Sequence, residues 1–142
     1  MSEVSGWVVL GLISAACAAL VAIFGKIGLE DVGSVPATMA RALIMAAVTS
    51  AVAIVTGSAD ELGVIDRRGW FFIAAAGIAG AGSWLAYFAA LKLGPASAVG
   101  SLDRLSIVFI VFLSAIFLGE SLTIPKVIGA GLIVAGAVLI VR

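Results

Sequence analysis

Long apolar runs alternate with short polar connections along the whole chain, at residues 7–24, 35–55, 70–91, 95–118 and 124–141. Each run approaches or exceeds the roughly 20 residues that a helix needs to cross about 30 Å of hydrocarbon. The pattern predicts an all-α polytopic membrane protein with five transmembrane helices in a single domain over residues 1–142. Five crossings leave the two termini on opposite sides. The longest connection, residues 56–69, leaves no room for a second, soluble domain.

Composition agrees with that solvent. Of 142 residues, 63% are hydrophobic and 11% are charged, against about 25% charged in an ordinary soluble domain. The first run has only Glu3 as a charge before Trp7, so it lacks the basic leader of a signal peptide and is expected to be retained. Cys17 is the single cysteine and there is no histidine. An intrachain disulfide is therefore impossible, and the usual imidazole ligand and near-neutral proton switch are missing. Among the glycines of the fifth run, no lysine and serine or threonine complete a phosphate loop. Without a nucleophile and base set or a ligand cluster, the sequence predicts no catalytic residue, no cofactor and no metal. Nothing in it points to nucleic acid. The first partner implied is the lipid bilayer.

Helix boundaries have their own signals. Pro36, Pro95 and Pro125 fall at the starts of the second, fourth and fifth runs, where a missing amide hydrogen costs nothing. Asp66, just before Arg67 and Arg68, is placed to cap the third. Trp7 and Trp70 lie at entry points on the side of the N-terminus, as an interfacial aromatic belt requires. Loop charges do not choose an orientation. Arg67, Arg68 and Lys126 flank the side of the N-terminus, and Lys26, Lys92 and Arg142 flank the other. Three against three leaves the positive-inside rule silent and keeps insertion in both orientations open.

The fourth run carries an acid and a base side by side, Asp103 and Arg104. Counting back about 20 residues from Leu118 places Asp103 about 6 Å inside the hydrocarbon. Arg104 is long enough to snorkel to the headgroups, but the short aspartate is not, so Asp103 needs a partner or a watery cavity. Arg41, at a similar depth in the second run, is one partner, and Arg104 itself is the other. A packing pair and a solute or proton site compete as readings of this acid. At helical spacing Gly100, Asp103, Ile107, Ile110 and Ser114 share one face, which would line a cavity.

A second stripe runs through Gly77, Gly80, Trp84, Tyr87 and Leu91. The two aromatics carry polar tips at a depth where apolar packing does not require them, with core packing as the alternative. The fifth run, with Gly129, Gly131 and Gly136, reads as a packing or oligomer-contact helix.

From Tyr87 to Val141 the sequence resembles the C-terminal part of an EamA domain of the drug/metabolite transporter superfamily. The likeness rests on Leu118-Gly119-Glu120, a short linker, Ile128-Gly129 and the small-residue helix ending near Gly136. Leu102-Asp103-Arg104-Leu105-Ser106 is similar to a stretch found in the half-size bacterial and archaeal group. The resemblance implies one half of an inverted-repeat transporter fold, a cavity lined by the first, third and fourth helices, and a cytoplasmic N-terminus. The membrane glutamate of the small multidrug proteins has no counterpart in the first helix, which leaves Asp103 as the acid well inside a span.

The expectation is thus a half-size secondary transporter or exporter of a small metabolite or amphipathic solute. It would work as a homo-oligomer by alternating access, with Asp103, Arg41, Arg104, Trp84, Tyr87 and Ser114 as pathway candidates. With no nucleotide motif, a solute gradient or a coupling ion would drive it. Two antiparallel copies forming a homodimer would rebuild the inverted repeat. The alternative is a membrane assembly or structural subunit that transports nothing.

Overall fold

The computed structural model describes the backbone of residues 2–142 and the side chains of residues 6–142. Six α-helices succeed one another: α1 (Ser2–Gly28), α2 (Ser34–Val55), α3 (Arg67–Leu93), α4 (Ala96–Asp103), α5 (Ser106–Phe117) and α6 (Ile124–Val141). A 3-10 helix, Ser58–Val64, fills much of the connection between α2 and α3. Among the described residues there is no strand. Five stretches of 18 to 27 residues are long and apolar enough to cross a bilayer, with α4 and α5 together supplying the fourth, Ala96–Phe117. Large apolar side chains such as Leu10, Ile78, Ile116 and Leu139 stand exposed on the chain. In water that would be a liability, but in a bilayer it is the surface offered to acyl chains.

The boundaries have local causes. The Gly69 amide donates to Asp66 Oδ1 at 2.7 Å, so Asp66 caps α3 and starts it at Arg67, three residues ahead of the apolar run. Gly69 also makes room for that cap, because a Cβ there would lie 2.9 Å from Asp66 Oδ1. Lys26, in the last turn of α1, donates through Nζ to the Gly94 carbonyl at 2.8 Å. Lys92, in the last turn of α3, does the same to the Val32 carbonyl at 2.8 Å. Both lysines carry their helices beyond the apolar runs and direct their charge at loop carbonyls.

The turn after α5 explains Leu118-Gly119-Glu120. Gly119 adopts φ +69°, a left-handed conformation that ends the helix and that a Cβ would disfavour. The Glu120 amide then reaches back to the Ser114 carbonyl, and Glu120 Oε2 pairs with Lys126 Nζ at 3.1 Å. That lysine donates to the Ser121 carbonyl as well.

Two compact units make up the chain. The first contains α1 as far as Lys26 together with Leu93–Arg142. Within it α6 packs on α4 and α5, burying Val99, Ala130 and Ala137. Ala130 and Ala137 are seven residues apart, one seam of a helix packed on neighbours. The glycines of α6 do not make that contact, since a Cβ at Gly129, Gly131 or Gly136 would meet open space. The second unit, Ile27–Lys92, holds α2, the 3-10 helix and nearly all of α3. Its buried residues are Leu29, Thr38, Phe88 and Leu91, which gather toward the start of α2 and the end of α3.

Candidate functional site

In the second unit, α2 and α3 assemble a cation on an aromatic platform. Arg41 lies seven residues after Ser34, the first residue of α2, about 10 Å along the axis. Its guanidinium carbon sits 3.4 Å from the centroid of the Trp84 ring and 5.7 Å from that of Phe88. Trp84 in turn meets Tyr87 edge-on, with centroids 5.6 Å apart, and Phe88 at 6.0 Å. Arg41, Trp84 and Tyr87 are half-buried, and Phe88 and Leu91 are buried. Of the stripe expected on the third helix, Trp84 and Tyr87 meet each other, and Arg41 lies over the Trp84 ring. Phe88 is the member that reasoning from the sequence missed. Its signal was its place four residues after Trp84 and three before Leu91, on the same helical face. The glycines of the stripe do not bring another backbone close, because a Cβ at Gly77 or Gly80 would meet nothing within 4 Å.

The first unit holds Asp103, Arg104 and Ser114 on a helix that is not continuous. Where the sequence predicts one helix over 95–118, α4 ends at Asp103 and α5 starts at Ser106. Arg104 and Leu105 have ψ values of −13° and −18°, shallower than an α-helix and close to 3-10 geometry. The amides of Leu105, Ile107 and Val108 bond three residues back, to the carbonyls of Leu102, Arg104 and Leu105. The Ser101 and Asp103 carbonyls consequently lose the amides that an α-helix would give them. Tightening two residues from 3.6 to 3.0 per turn rotates the remainder of the span by about 40°. The helix carrying the face from Gly100 through Asp103 to Ser114 is thus interrupted, but a rotation of that size leaves those positions on one side. Ser114 donates its hydroxyl to the Val111 carbonyl at 3.2 Å, and Ser101 to that of Ala98 at 2.8 Å. Both hydroxyls are thus engaged by their own helices. Asp103 and Arg104 are exposed on the isolated chain.

In chemical terms, one unit offers a planar cation held on an indole and the other a carboxylate at a helix break. Among the described residues no group of three or more histidine, cysteine, aspartate or glutamate side chains is placed to hold a metal ion.

Known proteins are similar to this chain in sequence. Residues 5–142 match the model of the EamA-like transporter family. A protein from a Sinorhizobium species, named as an uncharacterized transporter in the cobO 3′ region, is 42% identical over 134 residues. The alignment covers 94% of this chain and 95% of the relative. No solved structure matches significantly.

Proposed function

Because the chain belongs to the EamA-like transporter family, we propose that it is a half-size secondary transporter that exports a small metabolite or amphipathic solute by alternating access. A multi-pass membrane protein with a transporter role is the premise. The solute class, the cycle and the assembly are the proposal. The observation that carries it is the interruption of the fourth span at Asp103 and Arg104. Backbone acceptors freed inside a span are tolerated only where protein or a water-lined cavity surrounds them, and broken helices at mid-span mark the sites of secondary carriers. The freed Ser101 and Asp103 carbonyls, beside the Asp103 carboxylate, fit such a cavity wall.

One chain supplies one wall. Carriers built from repeats place the solute between the repeats, so the working unit is a homodimer, and the antiparallel arrangement, which rebuilds the inverted repeat, is not forbidden by the balanced loop charges. The Sinorhizobium relative, named as a transporter, aligns over nearly its whole length, which supports the transporter role. The cytoplasmic membrane of a prokaryote is the proposed location. Asp103, Arg104 and Ser114 in the first unit, and Arg41, Trp84 and Tyr87 in the second, are the proposed pathway residues.

Flux over a solute panel in proteoliposomes tests this reading. Wild-type protein is expected to move at least one solute, and Asp103→Asn to abolish that flux while remaining a folded oligomer of unchanged size in detergent. Normal flux in a folded Asp103→Asn protein removes the acid from the mechanism. Loss of assembly before loss of flux makes Asp103 a packing element, and absence of any flux favours a non-transporting subunit.

A further inference from the structure

We propose that the Arg41–Trp84 platform binds the carboxylate of an organic anion, so that the solute carried is an amphipathic acid and not an amphipathic cation. The inference rests on the carrier reading and assigns its solute a charge. A guanidinium is flat and carries its five N–H donors in its own plane. With its carbon 3.4 Å above the Trp84 ring, the face is taken up by the indole, while the in-plane fork stays available for two acceptor oxygens. No carboxylate of its own unit takes that fork. The carboxylates there are Glu30 and Asp31 before α2, Asp60 and Glu61 in the 3-10 helix, and Asp66 at the start of α3. None of these described carboxylates has an oxygen within 4.0 Å of an Arg41 nitrogen.

The same contact argues against a cationic solute. Quaternary ammonium recognition needs an open aromatic face, and here Arg41 already covers one face of Trp84. A second cation would be repelled by the first at close range. An organic acid meets the opposite conditions: its carboxylate neutralises a charge that is costly inside a span, and its apolar tail can lie on the Trp84, Tyr87 and Phe88 stripe. Stacking on the indole also holds the guanidinium in one orientation before the solute arrives, which limits the entropy lost on binding.

Trp84 reports on its own site. In a Trp7→Phe, Trp70→Phe background reconstituted in zwitterionic nanodiscs, octanoate and octyltrimethylammonium provide matched tails of opposite charge. Octanoate is expected to shift Trp84 emission saturably, and octyltrimethylammonium is not. Arg41→Gln should raise the octanoate concentration required by about tenfold or more. Arg41→Lys, which keeps the charge and loses the fork, should fall between the two. An unchanged octanoate response in Arg41→Gln, or in Arg41→Lys where the glutamine variant does not fold, overturns the proposal. So does saturable binding of the cation at equal or lower concentration. A shift produced by adding phosphatidylglycerol to the disc, with none from octanoate, assigns the site to a lipid phosphate and overturns the solute. Flux separates the two failures. Cation flux without anion binding leaves the carrier reading standing and sinks this one, whereas octanoate binding without flux of any solute does the reverse.

Discussion

Gly119 shows how much one residue decides here. Its φ of +69° ends α5, and an L side chain in that conformation costs about 1–2 kcal/mol. Gly119→Ala is therefore expected to lower the thermal midpoint in detergent. The neighbouring ion pair has less effect, because Glu120 and Lys126 side chains are 51% and 40% exposed. Glu120→Gln should shift stability by under about 1 kcal/mol. An alanine variant as stable as wild type would show that the turn tolerates another conformation. The family motif thus reads as backbone geometry first and charge second. Arg41 illustrates the opposite case, since its importance lies in the indole it rests on and not in its own position along α2.

At the scale of the element, two helices teach different lessons. α3 begins where Asp66 caps it, and the cap needs the space that Gly69 leaves. Asp66→Ala should cost about 1 kcal/mol, and Gly69→Ala should push the carboxylate off its amide, so the two changes combined should cost less than their sum. Thermal unfolding of the two single variants and the double checks this, and strict additivity would count against the shared contact. The fourth span was legible as a span but not as two helices. No proline or glycine lies between Leu102 and Ile107, and those are the usual sequence signals of a break. A run of apolar residues looks the same to a periodicity argument whether two of its residues bond three or four back. The charged couple was the remaining mark on the sequence, and it sits at the break.

For the whole molecule, function depends on which charges meet and how many chains assemble. Arg41 lies seven residues after Ser34 in α2, and Asp103 seven after Ala96 in α4. Those equal offsets, each about 10 Å along its own helix, motivate a double-mutant cycle with Arg41→Gln and Asp103→Asn. With Asp103 exposed and the Arg41 fork left to a solute, the losses are expected to add, whereas a double variant more stable than either single would reveal a buried pair, since removing one member leaves an uncompensated charge. Additive losses would place the two charges in separate environments. Assembly is tested by topology. In a Cys17→Ala background, single cysteines in the 56–69 connection are expected to label from both faces of intact cells if the homodimer is antiparallel. Labelling from one face alone would require a parallel oligomer or a separate partner chain as the second half.

Hydrophobic length by itself determined the five crossings, because a bilayer demands about 20 apolar residues per helix regardless of what the helix packs against. Proline, glycine and capping residues likewise marked most helix ends, since their effects act within a turn of the chain. Arg41, Trp84, Tyr87, Asp103, Arg104 and Ser114 were all recognisable as polar or amphipathic residues out of place in hydrocarbon. Their partners were not recognisable in the same way. That Arg41 lies on Trp84, 43 positions away in the chain, depends on how α2 and α3 turn about their own axes when they pack. Nearly every residue of a membrane helix is apolar, so periodicity carries little rotational information there. Only the tertiary structure sets that rotation, and with it the edge of the cation that remains for a solute.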